Sequence, residues 1–106
     1  MARYGFLFKI NSELKNDFKK AHDEIWPELK KEIKNVGINN YTHFYKDDGL
    51  IFAYFESENP EKSLSELIKK EIRTKWEEAM DRYFVKKDKS YLGPEVKVLE
   101  EIFHLD

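Results

Sequence analysis

The sequence contains no cysteine and few chain breakers, with 3 prolines and 4 glycines in 106 residues. Without cysteine, the chain cannot form disulfides, thiolate zinc sites, iron–sulfur clusters or a cysteine nucleophile. Long apolar runs are also missing, since no stretch approaches the roughly 20 residues of a membrane helix. The start, Met1-Ala2-Arg3-Tyr4, leads into strand-like sequence rather than a signal peptide. We therefore expect a cytoplasmic protein without a membrane partner.

An excess of charge of one sign is missing as well. The 19 Lys and Arg residues face 21 Asp and Glu residues, which leaves a formal net charge of −2. The basic residues alternate with acidic ones and do not form the stripe that nucleic acid would need, so we expect no nucleic-acid partner. With 41% hydrophobic and 15% aromatic residues, the chain is too apolar for intrinsic disorder, and its length predicts one domain over residues 1–106.

The first third of the chain has the pattern of a strand followed by a long helix. Apolar residues alternate from Tyr4 to Ile10, which is the period of a strand. From Leu14 to Val36 they recur at spacings of three and four, which predicts an amphipathic helix. Pro27 lies inside this pattern, so the helix should kink or restart there, because proline has no N–H to donate.

The remainder predicts a hairpin, a second helix and a last segment. Ile38–Lys46 and Leu50–Ser57 are rich in aromatic and β-branched residues and flank an Asp-Gly pair, a strong hairpin signal. Asn59-Pro60 is a typical helix start. The second helix continues from there to Tyr83 and can be broken once. A loop follows over Val85–Pro94, and the pattern of the tail, Val96–Leu105, suits either a strand or a helix.

This order of elements, β-α-β-β-α-β, predicts an α+β, ferredoxin-like fold whose antiparallel sheet is covered by helices on one face. Both faces of the strands carry large apolar groups, whereas a solvated sheet face should alternate cleanly with polar residues. We therefore expect a second subunit to cover the open face as a homodimer. Candidates for that face, or their strand neighbours, are Leu7, Tyr41, Tyr45, Ile51 and Phe55.

His22 is the most informative polar residue. At about 100° per residue, it falls on the apolar side of the first helix with Leu14 and Phe18. Trp26 lies one turn later on the same side, so an imidazole and an indole point together toward the sheet. The residues alone leave two interpretations open, a core histidine with one satisfied hydrogen bond or an imidazole positioned for proton transfer.

Two aromatic residues have a similar ambiguity. Trp76 lies on the apolar stripe of the second helix, so it either packs in the core or offers its face to the C–H groups of a sugar. Tyr41 either pairs across the hairpin or offers a ring and a hydroxyl to a ligand. His43 and His104 have no metal-ligand spacing with His22, so we expect no metal site.

Several of these residues occur together in one known family. The chain resembles the L-rhamnose mutarotases through the run His22-x-x-Ile25-Trp26-Pro27-Glu28-Leu29 and through Gly37-x-x-Asn40-Tyr41. A Trp-Pro pair inside an amphipathic pattern is uncommon, because proline disrupts a helix interior. The likeness continues nearly end to end, with Trp76-x-x-x-Met80 and Glu101-Ile102-Phe103-x-Leu105.

The resemblance implies a ferredoxin-like domain of the dimeric α/β barrel type that dimerises through its sheet and needs no cofactor. It also implies that the tail is a strand. The implied activity is the interconversion of the α and β anomers of a sugar pyranose, L-rhamnose or a related sugar. By the same resemblance, His22 is the proton donor and general acid/base, and Tyr41 and Trp76 line the sugar site. Trp26 is a further candidate wall of that site.

Two positions in the implied site differ from the family pattern. Phe18 stands where the family usually has tyrosine, and Glu77 stands where it has a second tryptophan. Both remain lower-ranked candidates for substrate binding. These changes leave a second interpretation, a sugar or small-ligand binding module that has lost the chemistry. A third interpretation, a cofactor-independent oxygenase on the same dimeric fold, rests on fold analogy alone.

Overall fold

The computed structural model describes all of residues 1–106 and confirms the predicted α+β, ferredoxin-like fold. None of its four helices is both long enough and apolar enough to cross a membrane. Two short 3₁₀ turns, Ser12–Leu14 and Asp81–Tyr83, accompany the regular elements. These elements are β1 (Ala2–Lys9), α1 (Lys15–Asp23), α2 (Pro27–Asn35), β2 (Asn39–Tyr45), β3 (Leu50–Ser57), α3 (Pro60–Leu67), α4 (Glu71–Met80) and β4 (Lys97–Leu99).

The four strands form one antiparallel sheet in the order β2-β3-β1-β4. The predicted hairpin joins β2 to β3, and its turn contains Gly49 at a φ of 95°. A side chain there would collide with the carbonyl oxygen of Ile10, since a Cβ would lie 2.3 Å from it. The Asp-Gly signal thus reflects both the turn geometry and a close backbone approach.

Both predicted helices are divided in two. α1 ends at Asp23, and Pro27 is the first residue of α2 rather than a kink within one helix. Trp26 precedes it with extended backbone angles (φ −60°, ψ 130°), the conformation that proline favours in the residue before it. The second helix breaks between α3 and α4, and the predicted start at Asn59-Pro60 is confirmed by a hydrogen bond that the Asn59 side chain accepts from the backbone N–H of Lys62.

A β-bulge in β2 determines which of its side chains face the helices. Asn39 pairs with Glu56 and Thr42 with Tyr54, so the two residues between them oppose a single residue of β3. Asn40 adopts a φ of 51°, a conformation that asparagine tolerates better than most residues. As a result, Tyr41 reaches the helical side of the sheet.

The core lies between the helices and the inner face of the sheet. Its sheet residues form an aromatic cluster in which ring centroids are about 5–6.5 Å apart. The largest buried contributors are Phe6, Phe8, Ile10, Phe18, Leu29, Ile38, Ile51, Phe55, Trp76, Met80 and Tyr83.

The outer face of the sheet is open and apolar, as expected. Most of the residues on it are not the candidates named from the sequence but the residues next to them along each strand. Leu7 does lie opposite Phe52 on this face, whereas Tyr41, Tyr45, Ile51 and Phe55 face the helices. Phe44 is 60% exposed, and its ring stacks on Phe52 at 6.2 Å. Both faces of β2 and β3 are apolar, which explains why alternation did not identify the inner one.

The tail forms a strand only in part. β4 pairs three residues, Lys97–Leu99, with β1, and the chain then continues without further pairing. Just after β4, Glu101 forms an ion pair with Arg3 of β1, with Nε and Oε1 2.6 Å apart. Beyond it, Ile102, Phe103 and Leu105 are each more than three-quarters exposed. One chain alone therefore leaves an apolar segment without contacts.

The predicted loop after α4 is organised by a buried lysine. The ammonium of Lys86 donates hydrogen bonds to Asp81 Oδ1 at 2.8 Å and to the carbonyl oxygens of Tyr91 and Gly93 at 2.6 Å. These three acceptors satisfy all three ammonium donors, and the ammonium holds the pKa of Asp81 below its usual range. The loop thereby places Leu92 and Pro94 against the helices.

Replacement of Lys86 by methionine should destabilise the protein. Lys86→Met keeps the length of the side chain but leaves Asp81 and two carbonyl groups without their donor, so the free energy of unfolding should fall by about 2 kcal/mol. Urea unfolding followed by circular dichroism measures the change. Lys87→Met, at the exposed neighbouring position, should have almost no effect, and equal losses in both variants would contradict this role of Lys86.

Candidate active site

A cavity of about 800 Å³ opens between the inner face of the sheet and the helices. Its volume is in the range of small-molecule sites, and its walls are mainly apolar and aromatic with a few polar groups, as such sites usually are. The polar side chains that line it come from β1, β2 and three helices. They are Tyr4, His22, Lys30, Lys34, Asn40, Tyr41, His43, Arg73 and Glu77.

His22 projects from α1 into this cavity with a fixed orientation. Its Nδ1 donates a hydrogen bond to the carbonyl oxygen of Phe18, one turn earlier, at 2.9 Å. The neutral ring therefore carries its lone pair on Nε2, the nitrogen left for a ligand. Trp76 presents its edge at 5.2 Å between ring centroids. Burial lowers the pKa of His22, although the Phe18 carbonyl and Asp23 oppose this shift.

His43 lies beside His22, and sequence reasoning missed it. The two ring centroids are 5.3 Å apart, and Tyr41 lies 5.0 Å from His43 on the same side of β2. The Nε2 atom of His43 is buried and has no hydrogen-bond partner. Burial, assisted by the proximity of His22, lowers the pKa of His43 to about 4. The available signal was the two-residue spacing from Tyr41, which puts both on one face of a strand.

The three aromatic candidates occupy different positions. Tyr41 lines the cavity with 42% of its surface exposed, and desolvation together with the nearby Glu77 carboxylate raises the pKa of its hydroxyl. Trp76 is 7% exposed and forms part of the cavity wall. Trp26 does not line the cavity. It packs behind Trp76 in an edge-to-face contact at 5.1 Å and so supports that wall from outside.

Phe18 and Glu77 both lie at the cavity. Phe18 is buried, and its ring contacts His22 at 4.2 Å and His43 at 6.2 Å between centroids. It supplies an apolar surface but no hydroxyl. Glu77 has a buried Oε2 without a hydrogen-bond partner, while its Oε1 lies 3.9 Å from Arg73 Nε.

Glycine is needed next to the Glu77 carboxylate. Gly93 has a φ of 95°, and a Cβ at that position would lie 2.8 Å from Glu77 Oε2. The loop that Lys86 organises is therefore in direct contact with this carboxylate. Burial raises the pKa of Glu77, and Arg73 opposes the shift. A buried acceptor with spare capacity is suited to binding a ligand hydroxyl.

Together these groups form an aromatic cavity with two neighbouring imidazoles, a phenol, an indole wall and a carboxylate near a guanidinium. Such a site can bind a small molecule that has both apolar and hydroxyl surfaces, and it can transfer protons near neutral pH.

Comparison with known proteins identifies close relatives over the full length. The sequence model of the L-rhamnose mutarotase family matches residues 3–105. An L-rhamnose mutarotase from Oceanobacillus iheyensis is 36% identical over 107 residues, and one from Mannheimia succiniciproducens is 37% identical over 108 residues. Each alignment covers 100% of both chains.

Solved structures give the same result for the fold. The crystal structure of an L-rhamnose mutarotase from Formosa agariphila superposes with a TM-score of 0.83 at 30% identity and covers 100% of both chains. A dimeric ferredoxin-like protein from an uncultured marine organism has a TM-score of 0.62 at 16% identity, with 98% of this chain and 96% of that one covered. The second likeness concerns the fold alone.

The buried Glu77 carboxylate should make stability depend on pH. Its pKa is raised in the folded protein, so ionisation costs stability as the pH rises from the unfolded value, near 4.5, through the folded value. Glu77→Gln should therefore unfold at higher urea concentration than the wild type at pH 7, and the difference should vanish at pH 4. Glu78→Gln, at the exposed next position, is the control. A Glu77→Gln variant that is less stable at pH 7 would refute the assignment.

Proposed function

Since the chain belongs to the L-rhamnose mutarotase family, we propose that it interconverts the α and β anomers of L-rhamnose or a closely related sugar pyranose. The observation that carries the proposal is the oriented His22 imidazole inside an aromatic cavity of about 800 Å³. The relatives are named as L-rhamnose mutarotases, and acid–base assistance at the two oxygens of the anomeric centre is sufficient for mutarotation.

The reaction opens and recloses a hemiacetal. A proton reaches the ring oxygen, the bond from that oxygen to the anomeric carbon breaks, and the anomeric hydroxyl loses its proton to give the open-chain aldehyde. Rotation about the adjacent carbon–carbon bond exposes the other carbonyl face. The hydroxyl formed from the ring oxygen then attacks that face and loses its proton, while the carbonyl oxygen gains a proton and becomes the new anomeric hydroxyl. Protonated His22 supplies the first proton from Nε2 and recovers one on closure, because its Nδ1 stays bound to the Phe18 carbonyl.

The cavity walls suit a sugar that has an apolar side. Trp76 and Tyr41 present ring surface to C–H groups, and the Tyr41 hydroxyl adds a hydrogen-bonding group. L-Rhamnose is a deoxy sugar, so its methyl group can pack against the phenylalanines of β1. Trp26 keeps Trp76 in place through its edge-to-face contact.

Phe18 and Glu77 bear on the choice of sugar. Phe18 offers no hydroxyl, so one hydrogen bond to the substrate that a tyrosine would provide is missing. Glu77 offers instead a buried oxygen that has no partner. Such exchanges of a donor for an acceptor in a buried site alter the preference among sugars strongly. The same two positions support the second candidate function, a sugar-binding module without catalysis.

We also infer that the protein is a homodimer that uses the open face of the sheet. Phe44 and Phe52 stack there beside Leu7 with no layer above them. The apolar residues of the tail, Ile102, Phe103 and Leu105, are also exposed, and exposed apolar patches of this kind mark protein–protein contacts. A second copy, placed face to face, would cover both. The cytoplasmic location stays a prediction.

Substitution of His22 should abolish most of the activity. His22→Ala should reduce kcat for anomer exchange about 10²- to 10⁴-fold, the usual contribution of a general acid or base. NMR exchange spectroscopy with L-rhamnose, L-fucose and common aldoses provides the measurement. Lys20→Ala, at an exposed position of the same helix, is the control. Full activity of His22→Ala would remove this residue from the mechanism, and saturable binding without exchange by the wild type would favour the binding module.

A charge on the open sheet face should dissociate the dimer. Sedimentation equilibrium at micromolar concentration should give the wild type twice the chain mass of 12.8 kDa. Phe44→Asp should shift the mass to that of one chain, because a carboxylate cannot be buried unpaired in an apolar interface. Val85→Asp tests an exposed apolar residue in the loop after α4 and should leave the dimer intact. A single-chain mass for the wild type would overturn the homodimer.

A further inference from the structure

We propose that His43 is a second catalytic residue, which exchanges a proton with the anomeric hydroxyl while His22 exchanges one with the ring oxygen. The inference rests on the proposed mutarotase function and deepens it, since it names a group for the second proton. It comes from a contact that the fold creates and that the sequence spacing of the histidines does not indicate.

The distance between the two imidazoles fits this division of roles. Their ring centroids are 5.3 Å apart with planes at 55°, and both rings line the same cavity. The ring oxygen and the anomeric hydroxyl are bonded to one carbon, so their two proton-transfer partners must be close neighbours. A hemiacetal that lies in the cavity against the edges of both rings can place one oxygen near each imidazole.

The unpartnered nitrogen of His43 supports a role in ligand binding. Its Nε2 is buried and accepts or donates no hydrogen bond, which is unusual for a buried polar atom and costs free energy. A packing role does not explain that cost. Phe8 at 5.5 Å and Phe18 at 6.2 Å surround the ring, and a phenylalanine at position 43 would pack there without burying a nitrogen. A bound hydroxyl would supply the missing partner.

The charges around His43 favour a pair that shares one proton. The titratable groups that line the cavity with it are His22 on α1, Tyr41 on β2, and Arg73 and Glu77 on α4, together with Tyr4 on β1 and Lys30 and Lys34 on α2. Tyr41 is the nearest of these groups at 5.0 Å between ring centroids, and His22 follows at 5.3 Å. When His22 is protonated, it disfavours a second proton on His43. The singly protonated pair is then an acid next to a neutral base.

The proton balance closes within this pair. In ring opening, His22 gives its proton to the ring oxygen, the bond from this oxygen to the anomeric carbon breaks, and His43 takes the proton of the anomeric hydroxyl. The aldehyde leaves the pair with the same single proton, now on His43. Ring closure on the other face runs the steps in reverse, with His43 returning its proton to the new anomeric hydroxyl and His22 recovering its own. No oxidant, reductant or metal is required.

The test compares two variants of β2 by NMR anomer exchange. His43→Phe keeps the ring packing and removes both nitrogens, so kcat should fall about 10²-fold with little change in KM. In the wild type, activity should also decline as the pH approaches 4, where His43 becomes protonated. This decline should be absent from the residual activity of His43→Phe. Tyr45→Phe, the next inward-facing position of β2 and outside the cavity, should keep both kcat and the pH profile.

The outcomes separate this inference from the proposed function. A wild type that accelerates exchange together with a His43→Phe variant of equal kcat and equal pH profile overturns the role of His43 alone. A wild type that accelerates no sugar overturns the mutarotase function, and the role of His43 with it. If His43→Phe does not fold, histidine ¹⁵N spectra of the wild type decide. Saturating sugar should shift the Nε2 resonance of His43, and an unchanged resonance refutes the contact.

Discussion

The bulge at Asn40 is the constraint on which the cavity depends. It inserts one extra residue into β2, and this residue adopts the only positive φ outside glycine. The Asn40 side chain fixes the bulge by donating a hydrogen bond to Glu56 on β3 at 2.8 Å. From this point onward Tyr41 and His43 face the helices and Phe44 faces outward. The wall of the cavity and the apolar outer face of the sheet therefore result from the same local distortion.

Much of the fold was predictable because its signals are local. The Asp-Gly turn, the Asn59-Pro60 helix start and the amphipathic spacing that turns His22 inward each involve a few neighbouring residues. The face of each strand was not predictable in the same way, because β2 and β3 carry large apolar groups on both sides. His43 was missed since its significance comes from contact with α1, which is distant in sequence. The residues of the tail alone left open whether it forms a strand or a helix, and only three of them pair with the sheet.

The two positions that differ from the family pattern both lie at the cavity, where Phe18 packs against His22 and Glu77 lies beside the loop after α4. Glu77 replaces a tryptophan, and the loop that covers it is held by the buried ammonium of Lys86. Gly93 makes this arrangement possible, because any side chain there would meet the carboxylate. His22, Trp76 and Trp26 form one continuous set of aromatic contacts. One difference therefore adjoins the oriented His22 imidazole, and the other adjoins the loop that Lys86 organises.

The size of the cavity has a consequence for the reaction itself. An enzyme that equilibrates two anomers gains nothing from binding one of them much more tightly, because that complex would become a trap. It must also accommodate the open-chain aldehyde while a carbon–carbon bond turns halfway round. A space of about 800 Å³ with smooth aromatic walls gives that chain room to turn. Loose enclosure around an oriented imidazole thus suits a reaction whose substrate and product have opposite configurations at a single carbon.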